Sequence, residues 1–216
     1  MKSKLGSIFL LLAATFCVAQ NGKIEDIGPI TDSNVSSAIR NVLENKGYRA
    51  LLDGKPFCQI WLRKGLPTQA KKEATGAVYP QLTESTLVGV ISFPQGSADY
   101  RGQAIAAGTY TLRYELIPSD GNHLGVSPNP DFLLLIPAGS DGDPNAVYKF
   151  DELVNLSRKA TGTHHPAPLS MVQATRPDSA AISKDEEDHW IFSATLKLAS
   201  GGDLPLGLVV KGTALQ

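Results

Sequence analysis

Residues 109–137 read TYTLRYELIPSDGNHLGVSPNPDFLLLIP, and the way this stretch divides decides the fold. In its first third Tyr110, Leu112, Tyr114 and Leu116 recur every second residue, the period that brings side chains to one face of a strand. Its end, DFLLLIP at 131–137, is an unbroken apolar run, as expected of a strand covered on both sides. Between the two lies a polar connection. There Asp120-Gly121 has turn chemistry, and Pro128 and Pro130 stiffen the return. Asp120, Asn122, His123 and Ser127 gather in this loop, and of these Asn122, His123 and Ser127 have no evident structural task.

Strand signals continue in both directions. YRALLDGKPFCQIWLR at 48–63 carries Asp53-Gly54 between two apolar runs, a strong hairpin signal because both residues tolerate positive φ. In its second arm Cys58, Ile60 and Leu62 share one face, which marks Cys58 as a core residue. Residues 64–81 read as a loop, 86–94 as a strand, and 103–106 as a short strand. LSMVQA forms another strand, and HWIFSATLKLA folds back through Gly201-Gly202 onto LPLGLVV as a closing hairpin. Two helices interrupt the pattern. Val35, Ala38, Ile39, Val42 and Leu43 predict an amphipathic helix over 33–46 that Gly47 stops, and Phe150, Leu153 and Val154 predict a second that Gly162 ends.

Roughly eight to ten short strands with Gly and Pro punctuation fit a mainly β protein better than a βαβ fold. The expected architecture is an antiparallel β-sandwich over 48–216 with two short helices, the first within an N-terminal segment at 20–47. Ala107-Gly108-Thr109-Tyr110-Thr111-Leu112, followed by Ile117-Pro118, resembles the AGTYxL-type strand of uncharacterised exported bacterial β-domains. That resemblance covers a small part of the chain and implies fold and export only.

Export is also the reading of the first nineteen residues. Lys2 and Lys4 precede an apolar run from Leu5 to Val18, and Cys17-Val18-Ala19 supplies small residues at the −3 and −1 positions of a cut, the pattern of a signal peptide. The run falls short of the roughly 20 residues that span a bilayer, so no transmembrane anchor is expected. Lipid attachment at Cys17 is the competing possibility, and Phe16 in front of it argues against that. The protein is therefore expected in the periplasm or outside the cell. Of the two cysteines, only Cys58 survives such cleavage, which leaves no intramolecular disulfide.

The chain carries 20 Lys and Arg against 21 Asp and Glu, a formal charge of −1, and cleavage would remove two lysines and no acid. An acidic balance argues against nucleic acid as a partner, since phosphate neutralisation requires clustered cations.

Signatures of chemistry are sparse. Gly125-Val126-Ser127 runs into Pro128-Asn129 and does not complete a nucleophile elbow, and neither a His-Glu-x-x-His pair, a phosphate-cradling loop nor a dinucleotide glycine pattern is present. Cys58, His123, His164, His165, His189 and Met171 include the ligand types of a copper site, but the cysteine stands far from every histidine in sequence. No EF-hand spacing points to calcium, and no cofactor or metal is expected. Asp120, Asp131, Asp151 and Glu152 are acid–base candidates by residue type alone.

The more suggestive group is His164-His165-Pro166 with Arg158, Lys159 and nearby hydroxyls, where charge-assisted bonds suit an anion or a sugar. A solvated helix terminus, whose dipole favours cations, accounts for the same residues. The expected function is a non-enzymatic, exported binding or envelope-associated module that takes a small molecule, glycan or protein at Asp120, Asn122, His123, Ser127, Arg158, Lys159, His164 and His165. The alternative is a metal-dependent or hydrolytic enzyme built on the histidines.

Overall fold

The computed structural model describes residues 22–70, 76–118, 127 and 129–214. Ten strands form one antiparallel sheet in the order β1-β2-β3-β4-β7-β8-β9-β12-β11-β10, and the two-residue strands β5 (Ser97–Ala98) and β6 (Ala104–Ile105) pair separately. The large sheet comprises β1 (Gly22–Ile27), β2 (Gly47–Leu52), β3 (Lys55–Leu62), β4 (Leu87–Phe93), β7 (Gly108–Leu116), β8 (Asp131–Pro137), β9 (Pro168–Val172), β10 (Ala181–Lys184), β11 (Trp190–Lys197) and β12 (Asp203–Lys211).

The mainly β, antiparallel character with two helices agrees with the expectation; the layering differs. One continuous sheet curls until its edge strands approach, so it is a nearly closed barrel where a two-layer sandwich was expected. Gly22 of β1 lies against Ile182 of β10 and Trp190 of β11, and a Cβ on Gly22 would come within 2.7 Å of the indole. Strand alternation is identical in the two architectures, because each has one face turned to a core. What separates them is long-range pairing. β9 hydrogen-bonds to both β8 and β12 and so fuses what would have been two layers, while bulges at Ala50/Leu51, Leu87/Gly89 and Trp190/Ile191 supply the extra bend.

The inward faces fill the barrel. Ile60, Leu112, Tyr114, Leu133, Leu135, Phe192 and Leu206 belong to one buried cluster, and Cys58 is 1 % exposed among them. Burial pushes the Cys58 thiol well above its usual range, as expected of an inert core residue. At one end Asp131 holds the connection before β4: its carboxylate accepts from the Val78 and Tyr79 backbone N–H groups at 2.8 and 2.9 Å and from the Tyr114 hydroxyl at 2.8 Å. A buried carboxylate with three donors is satisfied structurally, which accounts for Asp131 without acid–base chemistry.

Two patches on the outside of the barrel are covered by helices. α1 (Ser37–Val42) places Ile39 over Trp61, Leu87 and Val90. It is shorter than the helix expected over 33–46, because Leu43 bridges to Arg63 and the Glu44 N–H donates to Leu62 O at 2.9 Å, drawing the chain into the sheet. Gly47 opens β2 rather than stopping a helix. The Trp61 indole lies so close that any side chain at 47 would collide with it. The segment before Tyr48 also supplies β1, paired with β2 along its length.

α2 (Phe150–Thr161) packs Leu153 and Val154 on Leu134 and Ile136 of β8, and Gly162 closes it in the left-handed conformation. β8 is thus buried on both faces, as its apolar run predicted. The segment that leads into α2 is fixed by Arg113, which with Thr111 and Glu115 forms the outward face of β7, buried in its turn. Arg113 Nε and Nη2 bind Asp141 Oδ2 and Oδ1 at 2.6 and 2.8 Å, and Nη1 donates to Ser85 O and Ala146 O at 2.7 and 2.9 Å. Both ions are inaccessible to solvent. Removing one member leaves the other charged and buried, so Arg113→Met is expected to lower unfolding free energy by about 3–5 kcal/mol, read from denaturant melts. A loss below ~1 kcal/mol would show that the pair holds nothing in place.

Glu115, 2 % exposed on the same face, is a second buried charge site. Desolvation pushes its carboxyl up to about 8 and neighbouring Glu84 adds to the rise, against a hydrogen bond from the Leu116 N–H. The ordinary value is 4.5, so between pH 4.5 and about 8 the unfolded chain releases a proton that the folded chain keeps. Stability contributed by this group is complete below that window and declines across it as pH rises. Glu115→Gln should therefore raise the melting temperature at pH 8 relative to the parent protein and change it little at pH 4.5. An equal difference at both values would contradict the assignment.

Candidate ligand-binding cleft

A cleft of about 260 Å³ opens between α2, the start of β9 and the connections on either side. Its shape follows from a chain reversal: α2 runs one way over β8, the chain turns at 162–167, and β9 returns alongside β8. Residues late in the helix therefore sit beside those that precede β9, and residues early in the helix sit toward the far end of β9.

At the turn end the walls are Arg158, His164, His165, Arg101 and Tyr100. Hydroxyls brace this end: Thr161 Oγ1 donates to His165 O at 2.9 Å, the His165 N–H donates to Thr163 Oγ1 at 3.0 Å, and Thr163 Oγ1 donates to Gln103 Oε1 at 2.7 Å. Arg101 is presented by a turn wound about the buried Asp99 carboxylate, which accepts from the Arg101 and Gln103 N–H groups at 2.9 and 2.8 Å and from Gln103 Nε2 at 2.6 Å. Burial raises the Asp99 carboxyl above its usual range, and these donors oppose the rise. Gln103 Nε2 also donates to Pro166 O at 2.9 Å, tying the turn to the histidine segment. Arg158 Nη1 donates to Asn155 Oδ1 at 2.7 Å.

At the other end the surface is apolar: Phe132, Phe150, Val154, Ile117 and Pro118 line it. Phe132 stands opposite Ser170 in the β8–β9 register. Ser170 and Ser127, whose hydroxyls lie 3.1 Å apart, give this end its small polar spot, and Asp151 is the carboxylate among the lining residues. Among the described residues, the partner of the Ser127 hydroxyl is the Ser170 hydroxyl.

Of the residues singled out by sequence, Ser127, Arg158, His164 and His165 meet at this cleft, together with the acid–base candidate Asp151. Lys159 does not: it lies on another face of α2, with Nζ 3.5 Å from Ser140 Oγ. Asp120, Asn122 and His123 fall outside the described residues. His189 is 3 % exposed on the far side of Tyr100, where Nε2 donates to Thr213 O at 2.9 Å and Nδ1 lies 3.2 Å from Asp185 Oδ2. Cys58 and Met171 are inside the barrel, whereas His164 and His165 are exposed on its surface. Among the described residues, no group of three His, Cys, Asp or Glu side chains comes together in a way that would hold a metal ion.

Sequence reasoning missed Tyr100, Arg101, Phe132 and Phe150. Tyr100 and Arg101 reach the cleft through pairing of the Tyr100 N–H with Pro168 O at 2.9 Å, a contact between distant segments with no local signal. Phe150 did leave a trace, a large apolar residue at the first position of a helix, and it is 38 % exposed. Compared with known proteins, the chain matches no family model, and no curated protein or solved structure matches it at a significant level.

Proposed function

We propose that this protein is an exported, non-enzymatic binding module that holds a small organic ligand, free or as the end group of a glycan or protein, in the cleft beneath α2. One observation carries the proposal: an apolar wall and a set of hydrogen-bonding side chains, distant in sequence, converge on one concave site. A few polar groups that orient a ligand against an apolar surface are the usual composition of a small-molecule site. Export rests on the lysine-led apolar run at the N-terminus and its small-residue cut.

The uncharged fluorophore N-phenyl-1-naphthylamine, bright only in apolar surroundings, tests the reading. Saturable fluorescence enhancement is expected with the parent protein, and Phe150→Ala should weaken it about tenfold, since the lost apolar contact is worth about 1.5 kcal/mol. Phe150 is partly exposed, so the variant should melt at the parent temperature. No saturable signal, or a signal indifferent to Phe150→Ala, would refute binding at this cleft.

A further inference from the structure

We infer that the cleft selects a single amphipathic organic acid, with its anionic head at Arg158, Arg101 and the two histidines and its apolar body toward Phe150. This rests on the binding reading above and adds the ligand's charge and orientation.

Two elements independently carry the cleft from one polarity to the other. Along α2, Phe150 and Val154 give way to Arg158 over about 12 Å of axis at about 1.5 Å per residue. Along the return, His164 and His165 give way to Pro168 and then to Ser170, beside Phe132, roughly 7 Å further on at about 3.3 Å per strand residue. The helix and strand run in opposite directions, so the two gradients coincide. The outcome is one cationic pole and one apolar pole.

The charge arrangement sets the sign of the head group. The whole chain is formally −1, yet among the described residues lining the cleft two guanidiniums face one carboxylate, that of Asp151 at the first turn of α2. Asp151 therefore lies toward the apolar pole and away from Arg158. Arg158 and Arg101 come from different elements, and planar guanidiniums meet carboxylate, phosphate or sulfate oxygens with two parallel N–H donors. His164 and His165 add ring N–H donors.

The described lining also sets a scale: a space of about 260 Å³, bordered by Pro118, Pro166 and Pro168, fits one medium chain or one fused ring. The occupant is thus a monomeric acid, not a membrane surface.

Displacement of N-phenyl-1-naphthylamine by octanoate, octanol and octylamine, equal in chain length and different in head, tests this. Octanoate is expected to displace the probe at least tenfold more effectively than either of the others, and octyl phosphate to behave like octanoate. In Arg101→Ala/Arg158→Ala the advantage of octanoate should fall to within about twofold of octanol. Both arginines are exposed, and an unchanged melting temperature verifies folding. Equal displacement by octanoate and octanol, or an advantage that survives the double substitution, would overturn the inference while leaving the binding reading intact. Absence of probe binding would instead remove the reading beneath it. Binding to vesicles of anionic phosphatidylglycerol without displacement by octanoate would overturn the inference in favour of a lipid surface.

Discussion

The buried pairing of Arg113 with Asp141 is the constraint on which the rest of the outer surface depends. An arginine in the middle of β7 with no solvent access is tolerable only if its donors are occupied, and the segment after β8 supplies the partners: Asp141 in two-point contact, the Asp143 carbonyl at 2.6 Å and the Ala146 carbonyl. The Tyr148 ring lies 4.9 Å from the guanidinium carbon, and the Tyr148 N–H donates to Ser85 Oγ at 2.8 Å. Each bond draws the connection down onto the sheet. It emerges at Lys149 with no freedom to place α2 elsewhere, so the helix begins over β8 and its Phe150 lines the cleft.

From that starting point the cleft follows by geometry. A helix laid on β8 buries Leu153 and Val154 against Leu134 and Ile136, and the chain must reverse to enter β9. The reversal places the last helical turn beside residues 164–168. Ser157 locks the crossing, its hydroxyl accepting from the buried Ala167 N–H at 2.9 Å. The barrel thus acts as a rigid support, and the site forms where a helix and a turn fail to cover the outer face completely. Two other hollows differ in character: one at Lys46, Arg176 and Lys197 is largely polar, and one beside Tyr100 carries Asp185, Glu186 and Glu187. Neither sets two guanidiniums beside an apolar wall.

Much of the fold was legible because local chemistry and global structure agree. Asp53-Gly54 turns a hairpin with both residues at positive φ, the run at 131–137 is a strand buried on both faces, and Gly162 ends α2 where the apolar stripe stops. Barrel closure was not legible. Period-two alternation reports that a strand has an inside but not which distant strand lies beside it, and β9 joining β8 to β12 is such a long-range fact. The outward face of β7 was obscured for a related reason: Arg113 and Glu115 are of types normally found in water, and only the later segment explains their burial. The site was half legible. Arg158, His164, His165 and Ser127 stood out by residue type, whereas Tyr100 and Arg101 became relevant only through the pairing of Tyr100 with Pro168.

The claim that this site takes an amphipathic acid in one orientation is tested most directly by mapping backbone amide chemical shifts during titration with octanoate. The account requires the largest changes at residues 101, 150–158 and 164–170, with a carboxylate-linked spin label broadening residues near Arg158 and Arg101 and sparing those near Phe150. Changes centred on Lys46 and Arg176, or broadening strongest at Phe150, would contradict it.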